Sequence, residues 1–426
     1  MIEAHRKVLD LIDPGEMISL LEDIVNIPSP TGKEAGVAEY LVRRFRALGL
    51  RGFLQEISPG RYNAIGALRG RGDGVSLLFN GHMDTSYSGE EEELQGVGYK
   101  PRMVRDKEWL YGLGVNNMKS GLAAFYGAVA ALRRAGVELR GDITIAGVAG
   151  EIEKAPVDGY QGIEYAGYGA GTKYLVGHGV TADLCIMGEP SGLKIAAGHM
   201  GSLWTKITTR GTVAHTAFLD KARIVHAIEK AMKVASAIQE WIPRYRAAHE
   251  FMGERPTVNL AAIQGGWPWR AARTPASCSL YLDIRTTHEQ NPMDVKRELQ
   301  RILNELHRQD PELEADLEFY VTNPGMFLPP DAYVSRVVAR AHQQVVGEPP
   351  EVFYRGPCTD ATHLQHAGIP TVIYGAGGRV REEGVLGWSR DVGEQLYIED
   401  LLTCTRVYTL AALEICSRTP DEIRPQ

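Results

Sequence analysis

Residue types that bind metals or transfer protons follow three short apolar runs in this chain, at residues 75–80, 143–148 and 184–187. His82 and Asp84 come after the first run, Glu151 after the second and Glu189 after the third. Such runs are typical of buried strands, and open α/β sheets bind ligands beyond the carboxyl ends of their strands. A neutral imidazole binds divalent metals, and a carboxylate two residues away can hold its ring in place. The pattern therefore predicts a metal-dependent hydrolase.

The elements that must position these residues fall into two groups. Residues 202–322 show strand and helix signals in the order β-α-β-β-α-β, which is typical of a ferredoxin-like module. Because α/β patterning precedes and follows this module, we expect a catalytic domain in two parts, 1–201 and 323–426, with the small domain inserted. We also expect a helix over 116–136, and a loop over 160–180 that covers the site as a lid.

Composition restricts the class of protein. The chain has 426 residues, which favours two domains, and its net charge of −7 argues against nucleic acid and anionic membranes as partners. No apolar stretch approaches a bilayer-spanning length, and the first residues lack the pattern of a signal peptide. The five cysteines are scattered, without a Cys-x-x-Cys pair. We therefore expect a cytoplasmic protein with reduced cysteines.

Five short motifs occur one after another along the chain, and their order is informative. They are His-x-Asp at 82–84, a Gly-rich motif ending in Met-Lys at 112–119, Gly-Glu at 150–151, Gly-Glu-Pro at 188–190 and Gly-Thr-Val-Ala-His at 211–215. This order resembles the acetylornithine deacetylase, succinyl-diaminopimelate desuccinylase and aminoacylase family of metallopeptidases. The resemblance covers nearly the whole chain. It implies a zinc-peptidase-like α/β domain, with a central mixed sheet flanked by helices, and an inserted ferredoxin-like α+β dimerisation domain.

The resemblance also implies an altered metal site. The family's usual site holds two zinc ions bridged by an Asp, and Asn117 stands at that position. His82 and Glu189 match ligands of the first ion. Ile152 and Arg390 stand where the second ion has its own ligands. Because one amide cannot offset the repulsion between two cations, we expect one divalent ion per chain, held by His82, Asn117 and Glu189. Three protein ligands with an open position fit zinc, and the oxygen-rich set also admits manganese.

Further roles follow from the same resemblance. Glu151 matches the family's general base, and Glu153 is an alternative replacement for a lost ligand. His215 matches a small-domain histidine that reaches the site of a partner subunit and stabilises the developing oxyanion, so a homodimer is expected. Arg285 matches an arginine that contacts a substrate carboxylate in related carboxypeptidases.

Two arginines near the C-terminus complete the predicted substrate site. Arg390, and with it Arg379, is expected close to the position of the lost second ion. A guanidinium there would supply the missing positive charge or bind a substrate carboxylate with two hydrogen bonds. We therefore expect a small carboxylate-bearing substrate.

Three functions are compatible with these residues. The preferred one is hydrolytic deamination of an aromatic amine such as a nitroanthranilate, an activity that the family includes. The second is hydrolysis of an amide, as in an N-acyl amino acid deacylase or a carboxypeptidase. The third, from another class, is an inactive homologue that binds a ligand, because three of the family's ligands are replaced.

Overall fold

The computed structural model describes residues 3–157, 162, 165–381 and 383–423, which form two compact units. The larger unit contains the chain up to Gly198, Leu328–Phe353 and the residues from Thr359 onward. The smaller unit contains His199–Phe327 and Tyr354–Cys358.

The secondary structure consists of helices and strands with the following bounds. The helices are α1 (Glu3–Leu9), α2 (Pro14–Val25), α3 (Ala35–Ala47), α4 (Lys119–Arg134), α5 (Ala170–Gly177), α6 (Ala227–Ala248), α7 (Pro292–Gln309), α8 (Tyr333–Val346), α9 (Ala361–His366), α10 (Ile398–Cys416) and α11 (Pro420–Ile423). The strands are β1 (Arg51–Ser58), β2 (Arg61–Leu68), β3 (Leu77–His82), β4 (Val104–Asp106), β5 (Trp109–Tyr111), β6 (Ile143–Val148), β7 (Leu184–Met187), β8 (Ile195–His199), β9 (Gly201–Arg210), β10 (Val258–Gly265), β11 (Ser277–Thr286), β12 (Ala315–Asn323), β13 (Met326–Phe327), β14 (Val352–Arg355), β15 (Thr371–Ile373), β16 (Trp388–Ser389) and β17 (Gly393–Tyr397).

A mixed sheet forms the centre of the larger unit, with strands in the order β1-β2-β6-β3-β7-β15-β8. The four strands β6, β3, β7 and β15 are parallel to one another, and β2 and β8 run antiparallel on either side. Helices α3, α4 and α10 pack against this sheet. Strands β3 and β7 are buried along their whole length, as expected for parallel strands covered on both faces. The predicted α/β fold with a central mixed sheet is confirmed.

Parallel pairing brings the ends of the central strands to one edge of the sheet. His82 at the end of β3 pairs with Val148 at the end of β6, and Asn80 pairs with Met187 at the end of β7. The segments that follow these strands therefore leave the sheet side by side. This is the arrangement that the three apolar runs predicted.

The smaller unit is a four-stranded antiparallel sheet in the order β10-β11-β9-β12, with helices α6 and α7 packed against it. The chain order β9-α6-β10-β11-α7-β12 is the ferredoxin-like order expected from the sequence. Its core is apolar and includes Leu203, Ile207, Leu280 and Leu299. Strand β10 lies at the edge of the sheet and is mostly exposed.

Two sequence-based boundaries differ from the structure. The segment 160–180, predicted as a loop, contains α5, which buries Thr172 and Leu175. Contacts of α5 with α9 and the sheet stabilise this short helix, although its sequence has little periodicity. Residues 158–161, 163 and 164 lie outside the described residues. The helix predicted to begin at Asn116 begins at Lys119, because Met118 has a non-helical backbone conformation.

No helix among the described residues is both long and apolar enough to cross a bilayer.

Candidate metal centre

The imidazole of His82 is the centre of a cluster of acceptor atoms. Its Nδ1 lies 2.9 Å from the backbone oxygen of Asp84, and a hydrogen on Nδ1 satisfies this contact. The lone pair of Nε2 then faces Asn117 Oδ1 at 3.1 Å, Glu189 Oε1 at 3.3 Å and Glu151 Oε2 at 3.6 Å. These four side chains come from the ends of three different strands and from the start of α4. The structure thus brings together all three predicted metal ligands and the predicted base.

The spacing of these atoms fits one divalent cation. Ligand atoms about 2.0–2.2 Å from a single ion lie about 3–3.5 Å from one another, close to the separations around His82 Nε2. The ligand atoms of His82, Glu151 and Glu189 all lie within 4.8 Å of one another. Among the described residues, no other group of three or more His, Cys, Asp or Glu side chains comes together in this way. The cluster is therefore suited to holding a metal ion.

The charge of the cluster also favours a bound cation. Burial opposes protonation of His82, but the carboxylates of Glu151, Asp84 and Glu189 raise the pKa of its imidazole well above the usual value. Burial and the neighbouring Glu189 raise the pKa of Glu151 well above the usual range of a carboxyl. Both shifts report an excess of negative charge in a buried place. A bound cation is one way in which proteins neutralise such an excess.

Asp84 is fully buried and contacts both His82 and the backbone of the segment that carries Glu151. Its Oδ1 accepts a hydrogen bond from the amide of Glu151 at 3.1 Å, and its Oδ2 accepts from the amide of Ile152 at 3.1 Å and from Thr31 Oγ1 at 2.8 Å. Although burial opposes ionisation, the interaction with His82 and these donors lower the pKa of Asp84. The carboxylate therefore connects the His82 segment to the segment that carries Glu151. Sequence reasoning missed Thr31, whose only signal was the break between α2 and α3.

A second buried carboxylate sets the position of Asn117. Glu394 Oε2 accepts hydrogen bonds from the amides of Asn116 at 3.0 Å and Asn117 at 2.9 Å. Burial raises the pKa of Glu394 to about 7, although the amides that bind it act in the opposite direction. Glu394 therefore holds the backbone of the segment directly before α4. The buried ammonium of Lys119 donates to the carbonyl oxygen of Ile24 at 2.7 Å, and burial lowers its pKa to about 7.

Asp360 is a further buried carboxyl close to the cluster. Its Oδ2 accepts a hydrogen bond from Thr172 Oγ1 at 2.5 Å, and Thr172 Oγ1 in turn lies 3.4 Å from Asn80 Nδ2. Burial raises the pKa of Asp360 to about 7, and the charges of Asp84 and Glu189 act in the same direction. No motif in the sequence marks Asp360 as part of the site.

The model of peptidase family M20/M25/M40 matches residues 78–414. The chain belongs to this family. It is 26% identical to the N-formyl-4-amino-5-aminomethyl-2-methylpyrimidine deformylase of Bacillus subtilis (strain 168), over 96% of this chain and 96% of that protein. It is 25% identical to the succinyl-diaminopimelate desuccinylase of Rhodospirillum centenum, over 92% of this chain and 95% of that protein. The resemblance drawn from the motifs is confirmed.

Solved structures of M20 peptidases share the fold. The dipeptidase Dug1p of Saccharomyces cerevisiae superposes with a TM-score of 0.75 at 14% identity, over 99% of this chain and 100% of that chain. A dinuclear metal-binding peptidase of the M20 family from Bacillus subtilis superposes with a TM-score of 0.66 at 14% identity, over 95% of this chain and 98% of that chain. The predictions of a hydrolase and of a metallopeptidase-like fold are confirmed at the level of the M20 family.

The two residues that the resemblance matches to ligands of a second ion are not metal-binding side chains. Ile152 is a buried aliphatic residue, and Glu153 lies outside the His82 cluster. Arg390 is exposed on the segment that follows β16, and its backbone oxygen accepts a hydrogen bond from Tyr99 Oη at 2.8 Å. Among the described residues no carboxylate pairs with its guanidinium.

Arg379 has a different environment. Its Nε and Nη2 donate to the two carboxylate oxygens of Asp400, each at 2.9 Å, and its guanidinium lies 4.7 Å from the ring centroid of Tyr397. The guanidinium of Arg379 is therefore already paired with Asp400, within the larger unit. Of the two arginines predicted near the lost ion, Arg390 is the one whose guanidinium has no carboxylate partner in the described part of the chain.

The predicted residues of the smaller unit are also placed. His215 is half-buried, and its Nδ1 accepts a hydrogen bond from the amide of Ala217 at 3.1 Å. In the neutral ring the hydrogen then lies on Nε2, which makes that atom a donor. Arg285 donates from Nε to Asp283 Oδ2 at 2.9 Å and from Nη1 to Cys358 Sγ at 3.3 Å.

Proposed function

We propose that the protein is a one-metal hydrolase that cleaves an amide C–N bond in a small carboxylate-bearing substrate, with Glu151 as the general base. One observation carries the proposal. Three side-chain oxygens surround His82 Nε2 at 3.1–3.6 Å. Ile152, which the resemblance matches to a ligand of a second ion, is a buried aliphatic residue.

His82, Asn117 and Glu189 would hold the ion, which would be zinc or manganese. When bound, such an ion polarises the scissile carbonyl and lowers the pKa of water. The backbone oxygen of Asp84 accepts from His82 Nδ1 at 2.9 Å and so keeps the lone pair of Nε2 toward the ion, as a partner behind a metal-binding histidine commonly does.

Glu151 moves the proton. Its carboxylate accepts a proton from the attacking water while the water oxygen bonds to the carbonyl carbon. The C–N bond then breaks, and the same carboxyl gives its proton to the leaving nitrogen. The position of Glu151 suits this exchange, because its Oε2 lies 3.6 Å from His82 Nε2, the atom that would bind the ion.

Two observations support the substrate class. The exposed guanidinium of Arg390 is available to a substrate carboxylate. The relatives named above, a deformylase and a desuccinylase, support amide hydrolysis over deamination. Deamination of an aromatic amine is the second candidate, favoured by Trp388. Trp388 is 38% exposed and follows the turn whose Leu386 oxygen accepts a hydrogen bond from Asn116 Nδ2 at 2.8 Å.

The active form would be a homodimer formed through the smaller unit, with His215 of one subunit acting in the site of the other. Exposed apolar side chains on this unit support association, since Ile263 on β10 is 60% exposed, Trp269 is 77% exposed and Phe218, near His215, is 53% exposed. Mixing His215→Ala with Glu151→Gln subunits should restore activity that neither has alone. A fully active monomer in gel filtration would exclude this role of His215.

A cytoplasmic location is part of the same proposal. All five cysteines are free and buried, so the fold needs no disulfide.

The decisive experiment combines metal analysis with a substrate screen. Purified protein is loaded separately with Zn²⁺ and Mn²⁺, and bound metal per chain is measured by mass spectrometry. N-formyl and N-succinyl amines, N-acyl amino acids and aminobenzoates are then tested for hydrolysis. We expect one ion per chain and turnover of an amide. Two ions per chain would overturn the one-metal site, and metal binding without turnover of any compound would favour the inactive homologue.

A further inference from the structure

The loop that connects α2 and α3 lies on the segment that carries Asp84. Ser29 Oγ donates to the backbone oxygen of Met83 at 2.8 Å, and the amide of Thr85 donates to the backbone oxygen of Ser29 at 2.9 Å. Thr31 Oγ1 donates to Asp84 Oδ2 at 2.8 Å. The position of this loop therefore determines the position of the Asp84 carboxylate.

A buried ion pair fixes the end of this loop. Glu34 is fully buried and Arg61 is 3% exposed. Arg61 donates from Nε to Glu34 Oε2 at 3.1 Å and from Nη2 to Glu34 Oε1 at 2.6 Å. Glu34 Oε1 also accepts from the amide of Gly32 at 2.9 Å, directly after Thr31. The carboxylate thus joins the loop to β2, where Arg61 lies.

Arg61 also touches the segment that carries the base. Its Nη1 donates to the backbone oxygen of Ala166 at 2.8 Å. A Cβ at Gly150 would lie only 2.5 Å from Arg61 Nη2, and Gly150 has φ +68°, so glycine permits this approach. The oxygen of Gly150 accepts from the amide of Gly169 at 2.9 Å. The guanidinium therefore lies against the backbone immediately before Glu151.

We propose that Glu34 and Arg61 are a positioning pair for the metal centre. The pair sets Asp84 through the loop that bears Thr31, and it sets Glu151 through Gly150. A guanidinium that binds a carboxylate through two bonds fixes orientation as well as distance. A buried ion pair gives little net stability compared with apolar residues of similar volume, so a role in geometry explains its presence better than stability does. The proposal rests on the metal site of the proposed function.

The test compares Arg61→Lys, which keeps the charge but loses the planar fork, with the matched control Arg44→Lys. Arg44 pairs with Glu16 at 3.4 Å in the same unit, and its guanidinium also donates to Tyr40 Oη at 3.1 Å and Tyr126 Oη at 3.4 Å. For each variant, the affinity for Zn²⁺ is measured by competition with a chelating dye, and kcat, KM and the melting temperature are recorded. We expect Arg61→Lys to weaken metal binding about 10–100-fold, the usual effect of losing support behind a ligand. It should lower kcat more than KM changes.

The control and a second variant separate geometry from stability. Arg44→Lys should leave metal affinity unchanged even where its melting temperature falls as much as that of Arg61→Lys. Thr31→Val removes only the bond to Asp84 and should weaken metal binding in the same direction, so it provides the test if Arg61→Lys does not fold. A lower melting temperature with unchanged metal affinity in both variants would overturn the proposal. Wild-type protein that binds one ion but cleaves nothing would overturn only the enzymatic function.

Discussion

Carboxyl groups have opposite environments in the two units. In the larger unit, burial raises the pKa of Asp360 and of Glu394 to about 7 and that of Glu151 well above its usual range. In the smaller unit, hydrogen bonds from Lys230 and Lys233 lower the pKa of Asp310 to about 2. These three acids of the larger unit are therefore dominated by burial, whereas Asp310 of the smaller unit is dominated by its two lysine partners.

This contrast locates the chemistry. A fold that maximised stability would pair or expose its carboxylates, as the smaller unit does. Groups with strongly perturbed pKa values in a buried cluster are a sign of a functional site. The apolar core of the smaller unit and its exposed edge strand β10 fit a structural and associative role.

Replacement of the base should have the largest effect. Glu151→Gln keeps the shape of the side chain but cannot accept a proton, so kcat should fall about 10²–10⁴-fold. Bound metal should stay near the wild-type level, because His82, Asn117 and Glu189 are intact. The control is Glu153→Gln, which removes the next acid along the chain, outside the cluster. Equal losses in the two variants would show that the His82 cluster does not contain the base.

Restoring the family's usual ligands should change the metal content. The triple variant Asn117→Asp, Ile152→Glu and Arg390→His returns a bridging carboxylate and two ligands to the second position. We expect mass spectrometry to find about two ions per chain, since bridging carboxylates offset the repulsion between cations about 3.5–4 Å apart. The single variant Arg390→His should still bind one. A triple variant with one ion would show that residues other than these three exclude the second ion.

The sequence predicted most of this site because its signals are local. A buried strand followed by His82 or Glu189 can be recognised from a few neighbouring residues, and parallel pairing then brings the strand ends together. The supporting contacts could not be predicted in the same way. Thr31 lies 53 positions from Asp84, and Arg61 lies 27 positions from Glu34, so only the folded chain brings these pairs together. The short helix α5 was missed because its stability depends on tertiary contacts.

Replacing a buried carboxyl whose pKa is raised should change the free energy of unfolding in a pH-dependent way. Asp360 keeps its proton in the folded state up to a pH of about 7, whereas an unfolded Asp releases it near about 3.9. Its contribution to stability is therefore full below about pH 4 and is lost as the pH rises through about 7. Asp360→Asn should raise the stability of metal-free protein relative to wild type between pH 5 and pH 8, by on the order of 1 kcal/mol or more.

The measurement is thermal or urea unfolding of both proteins at several pH values. Asp331→Asn, at an exposed position in the same unit, is the control and should follow the wild-type curve. A constant difference between Asp360→Asn and wild type across this range would contradict the raised pKa.

The smallest effect is expected at Asp310, and its pH dependence has the opposite sign. Because the folded-state pKa of Asp310 is lowered to about 2, its contribution is present above about pH 4 and is lost as the pH falls toward 2. Asp310→Asn should therefore cost about 0.5–1 kcal/mol at pH 7, and this difference should shrink between pH 4 and pH 3. Urea unfolding followed by circular dichroism measures it, with Asp316→Asn, which removes an exposed ion pair to Arg210, as the control. If the difference grew at low pH, Asp310 and Asp360 would respond to their surroundings alike, and the contrast between paired surface acids and buried acids would fail.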